Sequence, residues 1–377
     1  MTRALDLGAE RDAPDWGEDL RAAVRGMLKH VAREEIPDSR DLCTAATLDA
    51  ELGERRASEF SLLAVGDIML DGRARRVLAA RGTDYAFQAV LPLLRRASIV
   101  LGNLEGPFAR FAPRQQRTHS YRVDPTLAHA LQRAGINLVT LANNHLLDCG
   151  RAGVFETLHA LDQAGVAVVG AGVDKRAAHR PVIRAAGGLR VGVLGYYWNR
   201  RCAAGDNLPG SAMDPPEALA EDIGALRKAV DRVVVTFHWG VPYQPYPSGD
   251  DQARARLAID CGADVVIGHH PHIVQPVEVY RGRAIFYSVG NFAFGSGNSR
   301  AAGLAVGVRF EERQTMIEAF ALYVKNRDPR VDYQPKVLRG RGAERVLQHL
   351  AEISPSARDL LEIEGARIRL ALPRCAP

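Results

Sequence analysis

A chain of 377 residues, 47% hydrophobic and 25% charged, is long enough to bury a sizeable core and has the composition of a globular protein. Its net charge of +5 is modest, no dense Lys/Arg block occurs and aromatics make up only 6%, which argues against a nucleic-acid partner. The charge is also uneven: residues 1–58 hold thirteen Asp and Glu against nine Lys and Arg, leaving a basic main body suited to an anionic substrate.

Five cysteines (Cys43, Cys149, Cys202, Cys261 and Cys375) are scattered with no CxxC pair, the pattern of reduced thiols rather than a disulfide frame. No apolar h-region follows Met1, and no run approaches the roughly 18–20 apolar residues of a membrane span. The expectation is a soluble, cytoplasmic protein.

Taken in chain order, residues 1–58 read as an N-terminal helical appendage. Leu20, Val24, Met27, Leu28 and Val31 share a helical face, and a weaker second helix follows Pro37. The main domain is expected over 59–340. Glu59–Val65 is an apolar strand ending at Gly66-Asp67. A helix marked by Phe87, Val90, Leu91 and Leu94 follows, then a strand at Ile99–Leu101 ending at Gly102-Asn103-Leu104-Glu105. An arginine-bearing loop runs from Arg110 to Arg122. A helix, a strand at Leu138–Leu141 ending at Ala142-Asn143-Asn144-His145, another helix and a strand at Val166–Val169 complete this half.

The second half opens with a hairpin around Gly187-Gly188 and a helix over Leu219–Val230. Val233–Phe237 is a strand ending at His238, Ala253–Ile259 a short helix, and Val265–Ile267 a strand ending at Gly268-His269-His270-Pro271-His272. A hairpin around Arg281-Gly282 precedes antiparallel strands at 304–310, 317–324 and 331–338. Residues 341–377 are expected to form a C-terminal helical segment packed on the domain. Strand and helix alternate through most of the chain, which predicts an α/β fold with largely parallel strands. In such sheets, ligands bind beyond the carboxyl ends of strands.

Those ends carry the chemistry. Asp67 follows a strand and a glycine, which alone is also a common turn. Glu105 is a carboxylate of the kind that can bridge two cations. Asn144 offers a neutral oxygen; His145 beside it suits proton transfer, with Asp148 placed to orient the ring, although an Asn-rich helix cap would look similar. His238 ends an apolar strand. His270 and His272 flank Pro271 and can present two imidazoles to one side in an extended turn. Cys149 reads as a buried filler. No Gly-x-Gly-x-x-Gly, P-loop or Gly-x-Ser-x-Gly motif occurs.

The ordered set Gly66-Asp67-Ile68-Met69, Gly102-Asn103-Leu104-Glu105, Asn143-Asn144-His145 with Asp148-Cys149-Gly150, His238-Trp239-Gly240, Gly268–His272 and Ser288-Val289-Gly290-Asn291-Phe292 resembles the CapA-type poly-γ-glutamate capsule synthesis proteins, a branch of the calcineurin-like metallophosphatase superfamily. The resemblance spans residues 60–295. It implies a four-layer αββα sandwich with two central mixed sheets and a site at their shared edge holding one or two divalent cations (Mn, Zn, Fe or Mg). Carried over, Asp67 and His272 hold the first metal, Glu105 bridges, and Asn144, His238 and His270 hold the second. His145 becomes the acid that protonates a leaving group, with Asp148 its partner. Met69 stands where the superfamily has a metal-binding histidine, and a thioether is a poor ligand for these ions, so the first position is expected to be weakened, replaced or empty.

The function implied is a hydrolase or amide-processing enzyme in which metal-bound hydroxide attacks an anionic substrate, either a γ-glutamyl polymer or peptide or a phosphoester. Arg114, Arg117 and Arg122 are candidates to hold that anion. The alternatives are a non-catalytic accessory protein of poly-γ-glutamate synthesis and a soluble tailoring enzyme of specialised metabolism.

Overall fold

In the computed structural model the described residues are 36–53, 59–116, 119–295 and 302–373. The helix expected from Leu20 to Val31, the residue Arg117 and the last four residues lie outside them. The chain from Pro37 onward forms one compact unit. The boundary expected at 58/59 therefore falls inside a unit. A helix at Ala45–Leu52 (α1) begins with a Thr44–Thr47 capping box and buries Leu48 in the main core.

Two mixed sheets carry the fold. The larger contains β1 (Phe60–Met69), β2 (Ala97–Leu104), β3 (Leu138–Thr140) and β4 (Ala167–Val169), paired in that order and parallel to one another. A two-stranded ribbon, β5 (Ala171–Gly172) with β8 (Gly210–Ser211), follows β4. The smaller sheet contains β6 (Val182–Ala186), β7 (Leu189–Tyr197), β9 (Arg232–His238), β10 (Val265–His269), β11 (Val277–Tyr280) and β12 (Arg283–Phe286) in the order β11-β12-β10-β9-β7-β6. The larger sheet is extended by β13 (Asn291–Phe294), parallel to β1, and antiparallel to it by β14 (Ala302–Phe310). Then come β15 (Gln314–Tyr323), β16 (Lys336–Val337), β17 (Glu362–Glu364) and β18 (Arg367–Pro373).

Alternation along the strands makes four layers. On β9, Val233, Val235 and Phe237 pack with Leu219, Ile223 and Leu226 of a helix at Pro216–Ala229 and with Ala255 and Ile259 of a helix at Gly249–Asp260. Val234, on the opposite face, joins Leu62, Ala64, Ile99, Leu101 and Ile267 in a core between the sheets. The outer face of the larger sheet, with Leu63, Val65 and Val100, is covered by helices including Ala128–Ala134 and Gly150–Gln163. Among the described residues, no helix is long and apolar enough to cross a membrane.

Two expectations fail locally. Of 331–338 only Lys336–Val337 is strand, because Asp332 and Tyr333 take φ 43° and 66° and turn the chain. The expected C-terminal helix stops at Ile353. The chain then returns as β17 and β18, and β18 pairs with β15 through Ile368, Leu370 and Leu372, whose side chains are buried.

Candidate metal centre

Each inter-sheet strand face reads apolar, Thr236 apart, until it ends on a polar side chain. On β2 the face is Ile99, Leu101 and Asn103, continued by Glu105; on β9 it is Val234, Thr236 and His238; on β10 it is Val265, Ile267 and His269. On β1 the simple period would turn Asp67 toward the helices. Pairing with β2 slips register between Ala64 and Asp67, and Ile68 rather than Asp67 enters the helical-side core. This bulge re-aims the carboxylate into the gap between the sheets.

The result is a buried donor cluster. Among the described residues Glu105 Oε1 has no hydrogen-bond partner, yet it is ringed by Nε2 of His272 at 3.7 Å, His238 at 3.8 Å and His145 at 3.9 Å. Two donor groups share Glu105: Asp67–Glu105–His272 and Glu105–His238–His270, with atoms within 4.8 Å of one another in each. Asn103 braces the carboxylates, its Nδ2 donating to Asp67 Oδ1 at 2.8 Å and lying 3.3 Å from Glu105 Oε2. Asn143 in turn donates to Asn103 Oδ1 at 3.0 Å and holds the His145 N–H at 3.1 Å. Asn144 Oδ1 meets His238 Nε2 at 2.9 Å.

The electrostatics are those of a dry site. Burial, then the neighbouring Asp67 and Asp148 charges, push Glu105 well above the ordinary carboxyl range. Burial alone would also raise Asp67, but the adjoining His269 and His272 rings hold it well below that range. Burial and the facing His270 press His238 well down, and burial with His272 drives His270 to about 3. Neutral imidazoles beside two carboxylates, with Glu105 Oε1 and His270 Nδ1 unpartnered among the described residues, are a donor set that fits divalent cations.

His145 stands at the rim. Its Nδ1 lies 2.7 Å from Asp148 Oδ2, which also accepts the Tyr121 N–H at 2.8 Å. An oxygen that accepts the Tyr121 N–H can accept from the ring as well, so Nδ1 carries the hydrogen and Nε2 faces the cluster. The Tyr121 ring packs on the imidazole with centroids 4.8 Å apart.

A sequence model of the bacterial capsule synthesis protein family PGA_cap matches residues 61–296, more than half of the chain and the whole of this cluster. The chain belongs to that family. It is 33% identical over 268 residues to the capsule biosynthesis protein CapA of Bacillus anthracis, covering 68% of this chain and 65% of that one. It is 34% identical over 184 residues to a probable polyglutamine synthesis accessory protein of Mycobacterium tuberculosis, covering 45% and 48%. The chain thus spans about two thirds or less of the length of these relatives. Among solved structures, a 5'-nucleotidase precursor from Thermus thermophilus aligns at 18% identity and a TM-score of 0.44 over 66% of this chain and 51% of the other.

Of the residues singled out in this PGA_cap chain, Asp67, Glu105, Asn144, His145, Asp148, His238, His270 and His272 come together at one sheet edge. The extended turn expected at His270 and His272 does not form. Both residues take left-handed backbone, φ 96° and 57°, a conformation costing roughly 1–3 kcal/mol at each, and their rings reach the cluster that way. Arg114 is exposed and Arg122 half-buried, and both charges bear on Cys149, placing them on that side of the loop. Burial pushes the Cys149 thiol up to about 11, in keeping with a neutral filler.

Sequence reasoning missed Tyr121, which no motif marked. It passed over Asn103, although Asn103 sits two residues before Glu105 on the same strand face. It set aside His269, which is fully buried with its Nδ1 3.4 Å from Asp67 Oδ1.

Proposed function

We propose that the chain is a metal-dependent hydrolase or amide-processing enzyme acting on an anionic substrate, either a γ-glutamyl polymer or peptide or a phosphoester. The observation that carries the reading is Glu105, a buried carboxylate with a bare oxygen, common to two donor groups and 3.9 Å from His145 Nε2. Asp67 and His272 would hold one divalent ion, Asn144, His238 and His270 a second, with Glu105 between them. Such ions neutralise charge developing on a substrate oxygen and make a nearby water acidic.

The chain's own residues do the rest. Burial keeps His238 and His270 neutral, the state in which an imidazole can ligate. Asp148 holds the Nδ1–H edge of His145, so that Nε2 is free to take up a proton and pass it to the leaving oxygen or nitrogen. Tyr121 shields one face of that ring from water. Arg114, Arg117 and Arg122 are assigned to drawing the anion to the rim rather than to gripping the reacting group.

The test is metal analysis of protein purified with Mn²⁺, Zn²⁺ or Fe²⁺ supplied, followed by a screen over phosphoesters and γ-glutamyl amides. One or two ions per chain are expected, with turnover abolished by chelator and restored by metal. Protein that binds no ion sinks the reading. Protein that holds metal and turns over none of these substrates favours the accessory role, which the name of the mycobacterial relative supports.

A further inference from the structure

Met69 leaves the Asp67 half of the centre short of a ligand. The side chain is fully buried, and its sulfur accepts the Asp71 N–H at 3.2 Å. We propose that the side-chain oxygen of Asn291 takes the missing position, an assignment that rests on the metallohydrolase reading.

The geometry is that of converging donors. His272 Nδ1 lies 3.0 Å from Asp67 Oδ2 and 3.0 Å from Asn291 Oδ1. A ring nitrogen has one hydrogen or one lone pair, so it cannot make two well-aligned bonds. Two donors each ~2.1 Å from one cation and at right angles stand about 3 Å apart, which is the spacing seen. The other half repeats the contact: Asn144 Oδ1 meets His238 Nε2 at 2.9 Å. Each half thus offers an amide oxygen against an imidazole nitrogen.

The backbone is shaped for this. Asn291 is 2% exposed and sits opposite Asp67 in the parallel β1–β13 pair. The Asp67 N–H donates to the Gly290 carbonyl at 3.1 Å, and a Cβ on Gly66 would lie 2.0 Å from that same oxygen. Glycine at 66 therefore serves the approach of β13. Sequence alone read Gly66-Asp67 as a strand end that is also a common turn. The chemical consequence is asymmetry. An amide oxygen in place of an imidazole gives the Asp67 half a harder donor set, favouring Mn²⁺ or Mg²⁺, while the half with His238 and His270 suits Zn²⁺ or Fe²⁺.

The test counts ions on the full chain by equilibrium dialysis against Mn²⁺ with elemental analysis. Asn291→Leu, which keeps the shape and removes the oxygen, should lose affinity for one ion by at least about 10-fold while the other stays. Asn291→Asp, which keeps an oxygen, should retain wild-type stoichiometry. In Co²⁺-loaded protein, Asn291→His should shift one ion's visible absorption bands, as imidazole replaces oxygen; a residue that merely braced His272 would leave them unmoved. Melting in chelator shows whether each variant folds, and if Asn291→Leu does not, the Asp and His variants decide. Wild-type stoichiometry and affinity in Asn291→Leu, or an unmoved Co²⁺ spectrum in Asn291→His, overturns the assignment and leaves the hydrolase reading standing. A wild-type chain that binds no ion overturns that reading itself.

Discussion

The two halves of the donor cluster are assembled by different means. In the half containing His238, a strand face of alternating residues runs Val234, Thr236, His238 and delivers the imidazole with no irregularity. In the half containing Asp67, the carboxylate faces the cluster only because β1 slips register, and His272 arrives on left-handed backbone. His238 is fixed by periodicity, whereas His270 in the same half reaches the cluster, like His272, on left-handed backbone. The irregular half is held by what packs around it: Asn103 on Asp67 Oδ1, and Asn291 beside His272. Strand alternation can aim a ligand cheaply, but bringing two halves onto one carboxylate takes a bulge.

Glu105 belongs to both halves, so its removal should have the largest effect. Glu105→Ala is expected to abolish binding of both ions, with turnover falling to background. Elemental analysis of the dialysed variant decides this; an ion retained at wild-type affinity would mean that one half stands without the bridge. Next in size is His145→Ala. It leaves both donor groups intact and removes the proton donor, so kcat should drop about 10²–10⁴-fold with metal content unchanged. Asp148→Asn should fall in the same direction by less, since Nδ1 loses its charged partner while the ring remains. Full turnover in His145→Ala would strip the residue of its role.

His270→Ala and His272→Ala separate the halves. Each should weaken one ion by at least about 10-fold and leave the other. Equal loss of both ions in either variant would show that the halves are not independent. The metal-free protein adds a pH test. The folded-state value of His270, about 3, lies below the ordinary value of 6.5, so between them the unfolded chain binds the extra proton. This contribution is fully present above pH 6.5 and is lost as pH falls toward 3; His238 acts in the same sense. Glu105, raised by burial, acts oppositely, since its neutral form is favoured in the folded state. Melting in chelator from pH 7.5 to 4 should therefore fall on acidification, and Glu105→Gln should steepen the fall.

Much of this was legible before the fold was known. Strand-then-polar-end patterns placed Asp67, Glu105, Asn144, His238 and the Gly268–His272 group at one edge, because parallel strands put their carboxyl ends together. Asn103 was legible too, as the i−2 neighbour of Glu105 on one face. The bulge was not, since it lies in the register of β1 against β2, a tertiary pairing that the local alternation of β1 does not carry. Nor was the left-handed turn at His270, which local preference opposes and the surrounding packing enforces. The tail misled for another reason. Ile368, Leu370 and Leu372 alternate plainly, but a helix reading carried past Ile353 into the Ser354-Pro355 break and obscured the strand beyond.

The smallest effect is expected outside both halves. Arg114 is exposed on the loop that carries Tyr121, and its charge bears on Cys149. An exposed guanidinium at a rim acts through a screened field, worth well under ~1 kcal/mol at physiological salt. Arg114→Ala should thus raise KM for an anionic substrate about 2–3-fold, leave kcat unchanged and lose its effect at high salt. A loss of kcat instead would mean that the loop closes over the cluster and sets Arg114 against the reacting group. In that case Arg114 would have to move about a fixed Tyr121, whose N–H is already committed to Asp148. Salt titration of both kinetic constants therefore distinguishes a passive basic rim from a loop that completes the site.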